Sequence, residues 1–183
     1  MSNSHRIGYI ADFVQRHGWT KGAEIGVFRG RIVYGLLEAC PGLFMVGVDS
    51  WVILSGEGDR TSTGLVRYET WNIEDEGKKF RAECLEKYGD RTKIFHMSSL
   101  SAAQLVKDCS LDFVQIDADH RNSFVRADIA AWWPKIKVGG RMFGHDWNSF
   151  GSVRKAVNQF KDLTVDEKAN IWSIPRKKGN WPC

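Results

Sequence analysis

The sequence predicts an α/β domain built around a mostly parallel sheet, and three observations carry that reading. Short apolar runs alternate with amphipathic stretches along the chain, the pattern of βαβ units. A glycine-bearing segment, Glu24-Ile25-Gly26-Val27-Phe28-Arg29-Gly30, joins an apolar run to a helical one. Two apolar runs in the second half, 111–116 and 141–144, lead directly into acids and a histidine: Asp117-Ala118-Asp119-His120 and His145-Asp146. Ligands of open α/β sheets bind beyond the carboxyl ends of the strands. Neighbouring parallel strands would therefore gather Asp117, His120, His145 and Asp146 in one cleft.

Taken in order, Ile7, Ile10, Phe13 and Val14 fall on one face of a helix over about 7–17, which Gly18 stops. Residues 23–27 form the first strand. Ile32, Val33, Leu36 and Leu37 then mark a helix that Pro41-Gly42 ends. The second strand, 44–48, runs into Asp49. Residues 50–72 carry Gly56, Gly58 and Gly64 with Trp51, Tyr68 and Trp71, and read as a lid or substrate loop whose aromatics either stack on a substrate or pack. A charged amphipathic helix over 73–88 closes at Gly89. Strand three, 93–97, ends in Ser98-Ser99 and is followed by a short helix over 102–107. Strand four is 113–116, and a helix over 123–136 holds Pro134 in its final turn, with Trp132 and Trp133 as core residues. Val138-Gly139-Gly140 turns the chain into strand five, 141–144. A helix over 152–160 and an antiparallel hairpin of 163–165 with 171–174 bring the count to seven strands.

The length of 183 residues fits one domain spanning 1–183, with an N-terminal helix in 1–20 and a basic tail in 176–183. A charged share of 26% is that of a water-soluble domain, and no apolar run approaches the roughly 20 residues needed to cross a bilayer. Met1–Arg6 is polar, unlike a signal peptide, so the expected compartment is the cytoplasm. Cys40, Cys84, Cys109 and Cys183 lack metal-ligand spacing and read as free thiols. The net charge of +4 is mild, and no aromatic-and-basic module accompanies it, which speaks against nucleic acid.

The spacing of Glu24, Gly26 and Gly30 at a strand-to-helix junction lets a backbone approach a ligand. A dinucleotide site wants G-x-G-x-x-G, which this segment lacks. An acid-led, looser loop suits a ligand with an amino-acid end and no pyrophosphate. Asp49, about 20 residues on, stands where an acid accepts hydrogen bonds from ribose hydroxyls, in nicotinamide and adenosyl sites alike.

With these residues in hand, the chain resembles a class I S-adenosylmethionine-dependent methyltransferase. Glu24–Gly30 is similar to the family's cofactor loop and Asp49 to its ribose-binding acid. The stretches 111–120, 133–140, 144–147 and 151–160 resemble a small-domain subgroup related to macrocin-type sugar O-methyltransferases. The resemblance spans about residues 22–175 and implies a Rossmann-like three-layer sandwich, its seven-stranded sheet mostly parallel with an antiparallel C-terminal hairpin. It further implies S-adenosylmethionine as cofactor: Glu24, Gly26 and Gly30 around the methionine part, Asp49 on the ribose, Ser98 or Ser99 on the adenine, with Asp117 also at the cofactor. A strand-end serine is equally a helix N-cap.

In metal-dependent relatives the acids at the positions of Asp117 and Asp146 bind a divalent cation, Mg2+ by ligand type, and the histidine at the position of His120 takes a proton from the substrate. His145 departs from that pattern, standing where relatives carry an acid or an Asp-Asn pair. As a ligand it suits Mn2+, and otherwise it orients the substrate. Asp119 is alternatively a cap for the following helix. The implied activity is O-methylation of a small-molecule hydroxyl, of a sugar in the subgroup, assisted by a metal. The competing readings are a metal-independent methyltransferase acting on nucleic acid or protein, with Lys177 and Lys178 steering the partner, and a non-catalytic module that binds an adenosyl ligand.

Overall fold

The structure, a computed structural model, describes residues 3–52 and 72–179. Its elements, in chain order, are α1 (Asn3–His17), β1 (Lys21–Ile25), α2 (Arg31–Ala39), β2 (Phe44–Asp49), α3 (Ile73–Tyr88), β3 (Thr92–His96), α4 (Ser99–Leu105), β4 (Leu111–Ile116), α5 (Asn122–Trp132), β5 (Ile136–Gly144), α6 (Gly151–Val157), β6 (Thr164–Asp166) and β7 (Ile171–Pro175). The seven strands form one sheet in the order β3-β2-β1-β4-β5-β7-β6. Pairing is parallel from β3 to β5, and β7 is antiparallel to both β5 and β6. This is the expected three-layer architecture.

Two apolar layers sandwich the sheet. On one face α1, α2 and α3 bury Ile10, Val14, Leu36, Leu37 and Phe80 over Met45, Phe113 and Phe143. On the other, α4, α5 and α6 bury Ala102, Ile129, Trp132 and Val157 over Ile25, Val114, Ile116 and Met142. All six residues of β4 are buried, because helices cover both its faces. Among the described residues no helix is long and apolar enough to cross a membrane.

Local chemistry explains the boundaries. The α3 helix starts on Asn72, whose side chain accepts the Asp75 N–H at 3.2 Å, and Glu74, Asp75 and Glu76 complement the positive end of its dipole. The α5 helix stops at Trp132, ahead of the expected end, because Pro134 lies in a separate 3-10 turn, Trp133–Lys135. Val138, Gly139 and Gly140 belong to β5, contrary to the expected turn. Gly139 N–H donates to the Arg176 carbonyl and Arg176 N–H to the Gly140 carbonyl, both at 2.8 Å, so tertiary pairing overrides local preference. Of the expected basic tail, Arg176 is buried, its guanidinium 5.3 Å from the centroid of the Trp133 ring, and Lys177 pairs with Asp162 at 2.5 Å, while residues 180–183 lie outside the described residues. Cys40 and Cys84 are free, whereas Cys109 is disulfide-bonded, which corrects the free-thiol reading.

Of the expected 50–72 loop, residues 53–71, with Tyr68 and Trp71, lie outside the described residues. Trp51 is a core residue: it is 3% exposed, lies against Gly77, and donates its indole N–H to the Phe28 carbonyl at 2.8 Å.

Asp112, on β4, fastens the start of β1. Its Oδ2 accepts the Thr20 and Lys21 N–H groups, both at 2.8 Å, and Lys137 reaches Oδ1 at 2.6 Å. Asp112→Ala is expected to cost about 3 kcal/mol, since it orphans two amides bonded to a charged acceptor. Asp112→Asn should recover part of this in a denaturant titration, because it keeps an acceptor.

Candidate active site

The site begins where β1, β4 and β5 end level with one another. Ile25 is in register with Ile116, and Ile116 with Gly144. The next residues continue the pairing: Asp117 N–H donates to the Ile25 carbonyl at 2.7 Å and His145 N–H to the Ile116 carbonyl at 3.0 Å. Gly26, Asp117 and His145 thus open their loops side by side. Gly26 has φ 89°, and a Cβ there would lie 2.1 Å from the Asp117 carbonyl oxygen, so no other residue fits. Gly30 has φ 72° and starts α2, where a Cβ would strike the Phe80 ring.

Asp49 holds this loop from β2. Its Oδ2 accepts the Phe28 N–H at 2.8 Å and its Oδ1 the Trp51 N–H at 2.7 Å. Each oxygen keeps a second lone pair, so the carboxylate can brace the loop and still accept a ligand hydroxyl. Glu24 is 1% exposed, and its Oε2 has no hydrogen-bond partner. Burial pushes its carboxyl well above the ordinary range, with nearby Arg6 pulling the other way. The serines are committed elsewhere. Ser98 caps α4 by accepting the Ser101 N–H, while Ser99 donates to Asp128 at 2.5 Å and accepts the Trp132 indole N–H at 2.9 Å.

The acids and histidines do converge. Donor atoms of Asp117, His120 and Asp146 all lie within 4.8 Å of one another. His120 Nε2 is 2.6 Å from Asp146 Oδ2, off the line of a hydrogen bond. The His120 ring stacks on Phe150, with centroids 4.2 Å apart and planes at 10°. His145 Nδ1 sits between the carboxylates, 3.3 Å from Asp117 Oδ1 and 3.2 Å from Asp146 Oδ2. Burial works against a charge on His145, but Asp117 and Asp146 outweigh it and raise its pKa to about 9. Asp117, His120 and Asp146 are thus the side chains whose donor atoms lie close enough to share an ion, while His145 lies between the two carboxylates. Burial also opposes charge on Asp146 and Asp117. The two histidines hold Asp146 below the ordinary carboxylate range, and Arg6 and His145 do so for Asp117. Asp146 raises His120 against its burial. Asp119 pairs with Arg121, accepting its N–H at 2.8 Å and its guanidinium.

Sequence reasoning missed three contributors. Arg6, on α1, is 8% exposed and ion-paired to Asp117 Oδ2. A signal for it existed, since it lies four residues before Ile10 and seven before Phe13, on the apolar stripe. Phe150 orients His120. Asn170, in the β6–β7 turn, accepts the Asn148 N–H at 2.6 Å and donates to Ser149 Oγ at 3.0 Å and Asp146 Oδ1 at 3.3 Å, bracing the loop that carries Asp146. Nothing in the sequence marks these last two.

Residues 23–147, more than half of the chain, match the family model described as a methyltransferase domain. The chain belongs to the class I S-adenosylmethionine-dependent methyltransferases. Solved methyltransferases share its fold at low identity. The O-methyltransferase NovP superposes with a TM-score of 0.68 at 18% identity, over 95% of this chain and 79% of that one. The SAH-bound methyltransferase PaMTH1 of Podospora anserina gives 0.66 at 11%, over 97% and 80%. The 1,6-didemethyltoxoflavin-N1-methyltransferase of Burkholderia thailandensis gives 0.59 at 12%, over 94% and 79%. The fold thus serves oxygen and nitrogen acceptors alike. No curated protein matches the chain.

Proposed function

We propose that this methyltransferase methylates a hydroxyl of a small molecule, with Asp117 and Asp146 holding a divalent cation and His120 taking the proton. The observation that carries the reading is the convergence of two carboxylates and an imidazole immediately beside the Gly26 loop. Glu24, Gly26 and Gly30 take the amino-acid end of S-adenosylmethionine and Asp49 its ribose. Ser98 and Ser99, with hydroxyls already bonded, offer the adenine little beyond backbone. The cofactor supplies an electrophilic methyl on a sulfonium. The donor set fits Mg2+ or Mn2+: two hard carboxylates would hold the ion, leaving the His120 imidazole free for the proton. Such an ion, when bound, lowers the pKa of a substrate hydroxyl. Within the protein, His120 Nε2 accepts the hydroxyl proton as the oxygen bonds to the methyl carbon and the carbon–sulfur bond breaks. Asp146 stabilises the imidazolium that results, and Phe150 fixes the ring plane. NovP, an O-methyltransferase, supports oxygen as the acceptor, and the resemblance of 111–120, 133–140, 144–147 and 151–160 to the macrocin-type subgroup supports a sugar.

A specific observation favours a second reading. Arg6 and His145 already balance Asp117 and Asp146, so the cluster is electrostatically complete without an ion, and a His120–Asp146 pair alone would serve as the base. Titration with Mn2+, followed by electron paramagnetic resonance, separates the two. The metal reading expects saturable binding that Asp146→Asn weakens about tenfold or more, and methyl transfer to a panel of sugars and phenols that a chelator abolishes. Full transfer in chelator with no Mn2+ binding would establish the metal-free reading instead.

A further inference from the structure

A guanidinium is costly to bury, and Arg6 is 8% exposed. Its place follows from topology: α1 ends at His17 and β1 begins at Lys21, so the short connection returns the first turn of α1 to the carboxyl edge of the sheet. Two acids face it there. Asp117 is its ion-pair partner, and Glu24, buried with an unpartnered Oε2, couples to it electrostatically. Both acids flank Gly26, whose missing Cβ leaves the loop in contact with the Asp117 carbonyl.

The amino-acid end of the cofactor is a zwitterion, whose ammonium needs acids and whose carboxylate needs a cation. Glu24 and Asp117 answer the first need. None of Glu24, Gly26, Gly30 and Asp49 answers the second, and Arg29, the cation within the loop, is held by Glu76 through two bonds of 2.8 and 2.7 Å. The geometry points to Arg6 as the residue that binds the cofactor carboxylate, exchanging its pair with Asp117 for one with the ligand. The exchange leaves Asp117 Oδ2 available to the ammonium or to a metal, so cofactor binding primes the acid. This inference rests on the cofactor reading above and adds a residue to it.

Calorimetry with S-adenosylmethionine and its decarboxylated analogue tests it, because the two ligands differ in the carboxylate alone. The unaltered protein should prefer S-adenosylmethionine about tenfold or more, the scale of a charge-assisted pair. Arg6→Gln should erase that preference by weakening S-adenosylmethionine while leaving the analogue within about twofold. Arg6→Lys, which keeps the charge and loses the fork, should show an intermediate preference, and it carries the test should Arg6→Gln fail to fold. Equal weakening of both ligands by either variant would reduce Arg6 to a structural tie for α1 and overturn the inference, as would an undiminished preference. Binding of neither ligand by the unaltered protein would instead overturn the cofactor reading, and the inference with it.

Discussion

Gly26→Ala is expected to weaken S-adenosylhomocysteine binding by a hundredfold or more, measured by calorimetry. The added Cβ would lie 2.1 Å from the Asp117 carbonyl oxygen, 2.5 Å from its carbon and 2.7 Å from the Ala118 Cα. These are backbone atoms of a strand end, so no side chain can swing aside. The alternative is for β1 and β4 to part where Asp117 N–H meets the Ile25 carbonyl. The φ of 89° adds strain of roughly 1–3 kcal/mol. Both effects fall on the cofactor loop and on Asp117 together, and about 2.7 kcal/mol already corresponds to a hundredfold. Gly8→Ala is the control: it lies in α1 with nothing within 4 Å of its added Cβ, and should bind like the unaltered protein. Binding by Gly26→Ala within about fivefold of that control would show that the methionine end lies elsewhere.

How much of this was legible beforehand depends on whether the determinants are local. The α3 helix was readable to the residue because Asn72, the acidic first turn and Gly89 are all local signals. The acids of the site were readable for a different reason. Parallel strands buried on both faces announce themselves as apolar runs, and their ends are where ligands bind. Gly139-Gly140 misled, since two glycines read as a turn until Arg176 arrives from 36 residues further on to pair with them. His145 was legible by type and position but not by surroundings. No window of sequence tells that its Nδ1 lies between the carboxylates of Asp117 and Asp146, which draw a proton onto it. Arg6 and Asn170 reach the site through the packing of α1 and of the closing hairpin, long-range events that no window of sequence contains.

The protonated His145 has a consequence for stability that the unliganded protein should display in chelator. Its pKa rises from an ordinary 6.5 unfolded to about 9 folded. The folded state therefore binds the proton more tightly, and its contribution is fully present below pH 6.5 and lost as pH rises through 9. At about 1.4 kcal/mol per pKa unit, the loss amounts to a few kcal/mol. The carboxylates that hold the proton work in the opposite sense. Asp117 and Asp146 are depressed below their ordinary 3.8, so their contribution stands above that pH and is lost on acidification. The cluster thus stabilises the fold most between about pH 4 and 6.5. Thermal melts at pH 6 and 9.5 should show a fall in melting temperature, and His145→Gln, which cannot titrate, should remove most of it. His120, also raised by Asp146, and Arg6, beside Asp117, face the same carboxylates; His120 accounts for a smaller residual slope, while Arg6 stays charged throughout. An equal fall in the variant would mean that the imidazole between Asp117 and Asp146 is neutral in the unliganded protein.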